Sequence, residues 1–252
     1  MTDRHVALIT GAASGIGRAV ARTFAARGDA VVLADVDSDG LHATAELLAD
    51  EDRGRVPVEV VECDVSSERS VVELLSTAKR IHGRLDYAFN NAGVEQRRAT
   101  IADCTEESWD RTIGIDLKGV WLSMKHEIAL MRATGGCIVN TSSIVGTRGV
   151  FGAPSYVAAK HGIIGLTRCA AIEEATNNIR VNAVAPGHIR TPMVQRVIDK
   201  EPAKEDAYLD NAVLHRLGEA AEVASVVDWL CSGASSFVTG EVIAVDGGVL
   251  AK

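Results

Sequence analysis

Val-Ala-Leu-Ile-Thr at residues 6–10 leads directly into Gly-Ala-Ala-Ser-Gly-Ile-Gly at residues 11–17, and this stretch decides the fold. Its first part, a run of apolar and β-branched residues, predicts a buried strand. The apolar periodicity from Gly15 to Arg27 predicts a helix directly after the glycine-rich turn. A strand, a glycine-rich turn and a helix in this order form the opening unit of a dinucleotide-binding α/β domain.

The glycine-rich loop has the residues that a pyrophosphate requires. Gly11 permits the tight turn, Gly15 lets the backbone approach the anion, and Gly17 lets the helix pack closely on the strand. The N-terminus of the following helix adds N–H groups and the positive end of the helix dipole. We therefore predict a dinucleotide site here, to which Ser14 and Ile16 also belong.

Asp35 indicates which dinucleotide is bound. It lies at the end of the second predicted strand, 18 residues after Gly17, where a carboxylate can accept hydrogen bonds from both ribose hydroxyls of the adenosine half. A 2′-phosphate would be repelled by that charge, and neither Ser14 nor Val36 supplies a cation to compensate. The residues favour NAD over NADP, although a solvated loop aspartate is the alternative interpretation.

Short apolar runs alternate with segments of helical periodicity along the whole sequence. This pattern is typical of parallel strands joined by crossover helices. Strands are predicted at Val6–Thr10, Ala30–Asp35, Val58–Cys63, Leu85–Asn90, Cys137–Thr141, Arg180–Ala185 and Val242–Val245. Helices are predicted at Gly15–Arg27, Leu41–Ala49, Ser67–His82, Glu106–Arg132, Ser155–Thr176 and Glu219–Cys231. The predicted fold class is α/β, a doubly wound seven-stranded parallel sheet (Rossmann fold) between two helix layers.

The domain organisation follows from the absence of any linker or repeat. We expect one domain over residues 1–252. Residues 188–216 contain two prolines and many charges between a strand and a helix. Such a segment is predicted to form a mobile flap over a ligand site.

The composition excludes several classes of protein. The 34 acidic residues exceed the 26 basic ones, the net charge is −8, and no basic run offers a track to nucleic acid. The five cysteines are scattered without a CxxC pair, which argues against disulfides and a metal site. The first residues lack the layout of a signal peptide, and no apolar run approaches the ~20 residues of a membrane span. We expect a cytoplasmic protein that acts on a small molecule, with no metal, nucleic-acid or membrane partner.

Further motifs follow the predicted strands in order. They are Cys63-Asp64-Val65, Asn90-Asn91-Ala92-Gly93, Asn140-Thr141-Ser142-Ser143, Tyr156-Val157-Ala158-Ala159-Lys160, Pro186-Gly187-His188-Ile189-Arg190-Thr191 and Asp246-Gly247-Gly248. With the glycine-rich loop, they make the sequence resemble the compact single-domain branch of the short-chain dehydrogenase/reductase family over nearly its whole length. Chance does not easily explain why all these motifs occur in the same order and at compatible spacing.

The resemblance implies roles for these motifs. In the family, the positions of Asp64 and Val65 hold the adenine ring, Lys160 contacts the nicotinamide ribose, and Ile189 and Thr191 engage the carboxamide. The resemblance extends the predicted cofactor-binding set to Asp64, Val65, Asn91, Ala92, Gly93, Tyr156, Lys160, Pro186, Gly187, Ile189 and Thr191. The implied cofactor is NAD.

Tyr156 and Lys160 are the centre of the predicted chemistry. Oxidation of an alcohol requires a group that removes the hydroxyl proton, and a free tyrosine with a pKa of ~10 is a poor base at neutral pH. Lys160 lies one helical turn after Tyr156, so its ammonium should favour the phenolate. A Tyr-xxx-Lys pair alone is often only a surface pair. Ser143, thirteen residues before Tyr156, would hydrogen-bond the substrate oxygen at the separation that the family uses.

Asp116 departs from the pattern of the family. Most members have an asparagine at this position, seven residues after Trp109, and it holds a water in the proton relay. An aspartate still accepts a hydrogen bond from water, but its charge is expected to raise the pKa of Tyr156 or to pair with Lys160. We expect activity with a pH optimum that is moved upward.

These observations predict NAD-dependent interconversion of a secondary alcohol and a ketone, in a protein that by family resemblance is a homotetramer with Glu106–Arg132 and Ser155–Thr176 at one interface. A 3-oxoacyl-carrier-protein reductase is an alternative, although Ile172-Glu173-Glu174 at a helix end would repel an acidic carrier. A sugar-nucleotide epimerase or dehydratase usually has more than the about sixty residues that follow Thr191 here. A non-enzymatic NAD-binding sensor is a further alternative because of Asp116.

The sequence does not name the substrate. Specificity is expected from Val94–Ala99, Ile144–Phe151 and the flap. Four arginines flank the predicted pocket and could meet an acidic substrate, although solvated loop arginines are common: Arg97, Arg98, Arg148 and Arg190. His126, His161 and the tryptophans are interpreted as packing or surface residues.

Overall fold

The strands form one parallel sheet. A computed structural model describes residues 4–252. Its strands are β1 Val6–Thr10, β2 Ala30–Asp35, β3 Val58–Glu62, β4 Tyr87–Asn90, β5 Gly136–Thr141, β6 Ile179–Pro186, β7 Ile189–Arg190, β8 Gly218–Glu219 and β9 Val242–Val245. Seven of them pair in the order β3-β2-β1-β4-β5-β6-β9, all in parallel, and β7 pairs with β8 in a separate small sheet.

The helices lie between the strands. They are α1 Gly15–Arg27, α2 Ser38–Asp52, α3 Glu68–His82, α4 Glu106–Ile113, α5 Gly119–Met131, α6 Pro154–Glu174, α7 Pro192–Lys200, α8 Ala203–Asn211 and α9 Ala220–Leu230. A π-helical turn at Gly114–Lys118 joins α4 to α5, and short 3₁₀ turns lie at Ile144–Gly146, Ala175–Asn177, Gly233–Ser235 and Val249–Ala251. Within residues 4–252, each helix is too short or too polar to cross a membrane.

Both faces of the sheet are buried because consecutive strand residues are apolar. Along β1, Val6 and Leu8 belong to one buried cluster, whereas Ala7 and Ile9 belong to the other. Side chains of α3, α5 and α6 complete the first cluster, and side chains of α1, α2 and α9 complete the second. The predicted doubly wound α/β fold is therefore confirmed.

The helix predicted at Glu106–Arg132 is present, but it is not α-helical throughout. The π-helical turn at Gly114–Lys118 interrupts it, and α5 ends at Met131. A π turn inserts one residue into an α-helix and is common at functional sites. Here it contains Asp116, whose side chain is completely buried. A single i to i+5 turn leaves the apolar periodicity on both sides intact, so the sequence pattern does not reveal it.

Other boundaries differ from the predictions by a few residues. Helix α2 begins at Ser38 rather than at Leu41, because the carboxylate of Asp37 accepts a hydrogen bond from the amide of Gly40 and caps the helix. Strand β4 begins at Tyr87 rather than at Leu85. The carboxylate of Asp86 accepts a hydrogen bond from the Val6 amide at 2.8 Å, so a side chain holds β1 there. The remaining strand and helix ends move by no more than three residues.

The segment predicted as a flap contains two helices. Residues 188–216 hold β7, α7 and α8, and β8 follows them. Ala212, directly after α8, packs with Ile144 and Val145 in a small buried cluster. The seven-stranded sheet includes both β1 and β9, the first and last strands, which supports the proposal of a single domain. The mobility of the flap stays a prediction.

Candidate active site

A cavity of about 430 Å³ lies at the carboxyl ends of the central strands. Strands β1 and β4 are neighbours, but the chain leaves them toward opposite edges of the sheet, which opens a crevice at this point. The cavity is lined by every residue of the predicted cofactor-binding set except Gly17. The predicted catalytic residues line it as well: Asp116, Ser143, Tyr156 and Lys160.

The glycine-rich loop forms a cradle that fits a pyrophosphate. Gly11 and Gly15 have φ angles of +67° and +54°, which favour glycine. A Cβ on Gly17 would lie 2.0 Å from the carbonyl oxygen of Gly11, so any side chain would displace the loop. The role of Gly17 is thus close contact with the loop itself, not only with the strand as predicted. The Ser14 side chain does not cap α1, which leaves the first N–H groups of the helix for an anion.

Asp35 is held rigidly beside this loop. Its carboxylate accepts hydrogen bonds from the amides of Ala13 and Asp37, each at 3.1 Å. The guanidinium of the nearby Arg18 does not pair with Asp35. It donates to the hydroxyl of Thr44 at 2.9 Å and to the carbonyl of Ala13. The Asp35 carboxylate therefore lines the cavity beside the loop, and the hydrogen bonds of the Arg18 guanidinium go to Thr44 and Ala13 instead.

The loop after β4 is fastened to the loop after β1. The hydroxyl of Thr10 accepts a hydrogen bond from the Asn91 amide at 3.0 Å. The side-chain amide of Asn91 donates in turn to the carbonyl of Gly11 at 3.2 Å. These bonds hold Asn91, Ala92 and Gly93 against the cradle, along the same wall of the cavity.

Tyr156 and Ser143 meet at the far end of the cavity. Tyr156 lies in the first turn of α6, and the nearby Ser143 hydroxyl opposes the rise in the pKa of its phenol that burial causes. The Tyr156 amide donates to the side-chain oxygen of Gln96 at 3.0 Å. The Lys160 ammonium lies 5.3 Å from the centre of the phenol ring.

Lys160 and Asp116 form a buried ion pair. The Lys160 ammonium donates to the carbonyl of Thr141 at 3.0 Å and lies 3.7 Å from one carboxylate oxygen of Asp116. The other carboxylate oxygen accepts a hydrogen bond from the Val94 amide at 2.9 Å. Both side chains are nearly inaccessible, at 4% and 0% exposure. Burial accordingly lowers the pKa of Lys160 and raises the pKa of Asp116.

The pKa of Tyr156 is raised, not lowered. Burial is the largest cause, and the negative charge of Asp116 is the next. The expectation that Lys160 acidifies the phenol is therefore wrong in this structure, because the ammonium is directed to the carbonyl of Thr141 and to Asp116. The expected direction of the effect of Asp116 on Tyr156 agrees with the structure.

Several residues in or beside the cavity were not predicted. The carbonyl of Thr141 positions Lys160, but a backbone group has no signature in the sequence. Gln96 falls within the stretch expected to give specificity, but nothing in its surroundings marks it as the residue that anchors Tyr156. Met193 and Arg196 line the cavity from α7, which the sequence pattern treats only as part of the flap.

Comparisons with known proteins agree with this arrangement. The family model described as Enoyl-(Acyl carrier protein) reductase matches residues 11–250. Levodione reductase from Leifsonia aquatica is 40% identical to this chain over 253 residues, which cover 98% of this chain and 94% of that protein. The chain belongs to the short-chain dehydrogenase/reductase family. The crystal structure of levodione reductase matches it over all of both chains, with a TM-score of 0.95 and 39% identity.

Two further relatives of the family differ in what they act on. The cis-4-hydroxycyclohexanecarboxylate dehydrogenase of Sinomonas cyclohexanicum is 44% identical over 249 residues, which cover 98% of this chain and 97% of that protein. A 3-oxoacyl-(acyl-carrier-protein) reductase of Thermotoga maritima is 41% identical over 249 residues, with 98% of each chain covered.

Membership of the short-chain dehydrogenase/reductase family confirms the predicted enzyme class. The chain is an oxidoreductase that interconverts secondary alcohols and ketones, and the dehydrogenases of this family use nicotinamide cofactors. The named relatives are dehydrogenases and reductases, which weighs against a non-enzymatic sensor and against an epimerase.

Proposed function

We propose that the chain uses NAD to interconvert a secondary alcohol on a six-membered alicyclic ring and the matching ketone, with Tyr156 as the acid and base. One observation carries the proposal. Tyr156 and Ser143 line the same cavity as the glycine cradle and Asp35, so a dinucleotide and an alcohol can share it.

The side chains divide the proton chemistry among them. The nicotinamide, when bound, supplies or accepts a hydride at the substrate carbon. The phenol oxygen of Tyr156 takes the hydroxyl proton during oxidation and returns it during reduction. The hydroxyl of Ser143 donates to the substrate oxygen and stabilises the charge that develops on it. The carbonyl of Thr141 and the carboxylate of Asp116 hold the Lys160 ammonium next to these groups.

The substrate side of the cavity suits an alicyclic ring. Tyr156 packs against a buried apolar cluster formed by Ile144, Val145, Ala212 and Val249. An apolar setting around the phenol offers dispersion contacts and few hydrogen bonds, which suits a hydrocarbon ring better than a sugar. Levodione reductase and cis-4-hydroxycyclohexanecarboxylate dehydrogenase, at 40% and 44% identity, support this substrate class.

NAD is proposed over NADP because of the charges around the adenosine ribose. Asp35 is fixed at this point, and Asp37 adds a second carboxylate two residues later. Arg18 is bonded to Thr44 and to the loop carbonyl of Ala13, so it does not compensate a 2′-phosphate. The pyrophosphate is assigned to the cradle of Gly11, Ser14, Gly15, Ile16 and Gly17.

The remaining positions of the cofactor are assigned from the lining of the cavity and from the family. Asp64 and Val65 are proposed to hold the adenine, and Asn91, Ala92 and Gly93 to line the adjoining wall. Pro186, Gly187, Ile189 and Thr191 are proposed to contact the nicotinamide. All of them line the cavity.

We also propose the homotetramer that is common in this family, with α4, α5 and α6 at one interface. Trp109 on α4 and Trp121 on α5 are 40% and 43% exposed, which is unusual for large apolar side chains unless another surface covers them. Light scattering should give four times the 26.6 kDa of one chain. A mass of one chain would contradict this assembly.

The proposed reaction is tested with Tyr156→Phe and a matched control. Oxidation of cyclohexanol with NAD should fall by about 10² to 10⁴ in kcat/KM, because the proton acceptor is lost while the ring is kept. Tyr87→Phe removes a half-buried phenol on β4, outside the cavity, and should keep full activity. NADH fluorescence on binding should be unchanged in both variants. Undiminished activity of Tyr156→Phe would overturn the role of this residue.

The same assay distinguishes the proposed function from the alternative, a 3-oxoacyl-carrier-protein reductase. Cyclohexanone and acetoacetyl-CoA are compared as substrates for reduction. Glu173 is exposed on α6, where it would face an acidic carrier, whereas Glu174 is buried and paired with Arg132 at 2.6 Å. We expect faster reduction of the cyclic ketone, and a strong preference for the acyl thioester would reject the ring substrate.

A further inference from the structure

Arg196 is a basic residue in the wall of the cavity that is proposed to take the dinucleotide. It lies on α7, the first helix of the flap. Five residues at the start of this helix line the cavity: Thr191, Pro192, Met193, Val194 and Arg196. Arg196 is exposed to solvent, so it lies at the mouth of the cavity.

The periodicity of α7 directs Arg196 to this wall. Met193 and Arg196 are three residues apart, which places their side chains on one face of a helix, and both line the cavity. The side chains of Gln195 and Asp199 are hydrogen-bonded to each other at 2.9 Å and lie outside the lining. The cavity face of α7 thus carries a cation one turn after the helix begins.

The start of α7 lies directly against the glycine cradle. A Cβ on Gly15 would lie 3.4 Å from the Cβ of Thr191 and 3.7 Å from the Cδ of Pro192. The Thr191 hydroxyl accepts a hydrogen bond from the Val194 amide at 3.3 Å, which fixes the first turn of the helix. The rise from Pro192 to Arg196 is about 6 Å along the helix axis. One helical turn therefore separates Arg196 from the cradle, a span that a long arginine side chain can bridge.

The charges of the cavity favour a cation at this place. Within residues 4–252, the lining includes four aspartates but only two basic residues, Lys160 and Arg196. The Lys160 ammonium already lies 3.7 Å from the carboxylate of Asp116. A pyrophosphate brings further negative charge among the other three carboxylates, and a nearby guanidinium offsets this repulsion.

The guanidinium of Arg196 is available to an anion. It has neither a hydrogen bond nor an ion pair in the described part of the chain, so no contact there has to break first. Arg97 and Arg168 are also exposed and unpaired in that part, but they do not line this cavity. What distinguishes Arg196 is its place in the wall.

We propose that Arg196 binds the pyrophosphate of the dinucleotide and thereby holds α7 of the flap against the cofactor. The proposal rests on the proposed function and adds a cation from the flap to the cradle of Gly11, Gly15 and Gly17. A guanidinium binds phosphate oxygens through two parallel N–H donors, and the charge strengthens both hydrogen bonds. Cofactor binding and ordering of α7 are then linked, because the same contact serves both.

The test measures binding rather than turnover. Dissociation constants of NADH are obtained by fluorescence titration, and those of ADP-ribose and adenosine by competition with NADH. In Arg196→Gln the constants for NADH and ADP-ribose should both rise roughly tenfold, while that for adenosine, which has no phosphate, stays the same. Added salt should weaken NADH binding more in the wild type than in this variant.

Two further variants serve as controls. Lys200→Gln removes a positive charge from the exposed end of α7, outside the cavity, and should keep the wild-type constants. Arg196→Lys keeps the charge but lacks the paired donors, so it should recover part of the lost affinity.

Hydrogen exchange tests the link between the cofactor and the flap. ADP-ribose should slow the exchange of the α7 amides in the wild type and in Lys200→Gln, since the helix is then held from both sides. In Arg196→Gln, saturated with ADP-ribose, this protection should be lost. Full protection of α7 in that variant would show that Arg196 does not hold the flap.

The outcomes separate the two proposals. Wild-type affinity of Arg196→Gln for NADH and ADP-ribose would overturn the role of Arg196, even if kcat/KM falls, because the guanidinium would then act on the substrate. A loss of affinity confined to NADPH would overturn it as well, since the 2′-phosphate would be the partner. Both results leave the NAD-dependent reaction standing. A wild-type chain that binds no NADH would overturn the proposed function itself.

Discussion

The ammonium of Lys160 lies 3.7 Å from the carboxylate of Asp116, and both side chains are buried beside the phenol of Tyr156. A cation that is paired in this way has less influence on the phenol than an unpaired one. The carboxylate also raises the pKa of Tyr156 directly. Within this site, Asp116 therefore opposes the formation of the phenolate.

Replacing Asp116 by asparagine should move the pH profile of alcohol oxidation to lower pH. Oxidation requires the phenolate, so its rate rises with pH through the pKa of Tyr156, and loss of the negative charge lowers that pKa. We expect the rising limb of kcat/KM against pH to move down by roughly one pH unit. An asparagine keeps the acceptor for the Val94 amide, so the π-helical turn should be retained.

Asp110→Asn is the matched control for that experiment. Asp110 is exposed on α4, so its replacement removes the same charge from the same helical region outside the cavity. Its profile should superimpose on that of the wild type. Superimposable curves for Asp116→Asn as well would show that Asp116 does not influence the proton transfer.

Gln96 holds Tyr156 in place from a distant part of the chain. Its side chain is 6% exposed and accepts a hydrogen bond from the Tyr156 amide, at a helix end where Ala153 offers no side-chain cap. In Gln96→Leu this acceptor is lost, which should cost about 1 kcal/mol of stability and lower kcat more than KM changes.

A second variant at this position distinguishes a displaced Tyr156 from a loss of overall stability. Gln96→Glu keeps the acceptor and adds a negative charge near the phenol, so kcat should recover at high pH while the rising limb moves upward. Urea unfolding and pH profiles are measured together. A wild-type kcat in Gln96→Leu would show that the bond to Tyr156 has no part in positioning it.

Asp35→Asn should relax the proposed preference for NAD over NADP. The neutral amide can still accept the hydrogen bond from Ala13, but it no longer repels a 2′-phosphate. The ratio of kcat/KM for NADP to that for NAD should rise roughly tenfold or more, since each ~1.4 kcal/mol of repulsion corresponds to a factor of ten. Asp39→Asn, exposed in the first turn of α2, removes an equal charge nearby and should leave the ratio unchanged. If the ratio of NADP to NAD efficiency is the same in both variants, Asp35 does not determine the choice of cofactor.

The sequence was sufficient to predict the strands and the glycine cradle because both depend on local patterns. Apolar runs such as Val31-Val32-Leu33 require burial on both faces, and Gly11 and Gly15 lie at positions with positive φ. These properties belong to single residues or to short stretches. They do not depend on which distant segment packs against them.

The electrostatic interactions of the site depend on long-range contacts, and the sequence was insufficient to predict them. The spacing of Tyr156 and Lys160 correctly predicts one helix face, but the direction of the ammonium depends on the carbonyl of Thr141 and on Asp116. The inward position of Asp116 depends in turn on a π-helical turn that the periodicity conceals. Contacts such as Gln96 to Tyr156 span 60 residues and have no local signature.

Glu127 makes the stability of the fold depend on pH. It is completely buried on α5, one oxygen accepts a hydrogen bond from the Asn90 side chain at 2.9 Å, and the other has no partner within residues 4–252. Burial raises its pKa from 4.5 to about 8. The folded chain therefore keeps a proton that the unfolded chain loses above pH 4.5. This contribution to stability is complete below pH 4.5 and is lost as pH rises to about 8.

Glu127→Gln should remove this dependence. The amide keeps the acceptor for Asn90 and cannot ionise, so the variant should gain stability over the wild type as pH increases, with an upper bound on the order of 5 kcal/mol at pH 8 to 9. Urea unfolding at pH 5, 7 and 9 measures the difference, and Glu107→Gln, exposed on α4, is the control with the same chemical change. A constant difference across this range would mean that Glu127 is already ionised in the fold, in which case a buried cation or water must neutralise it.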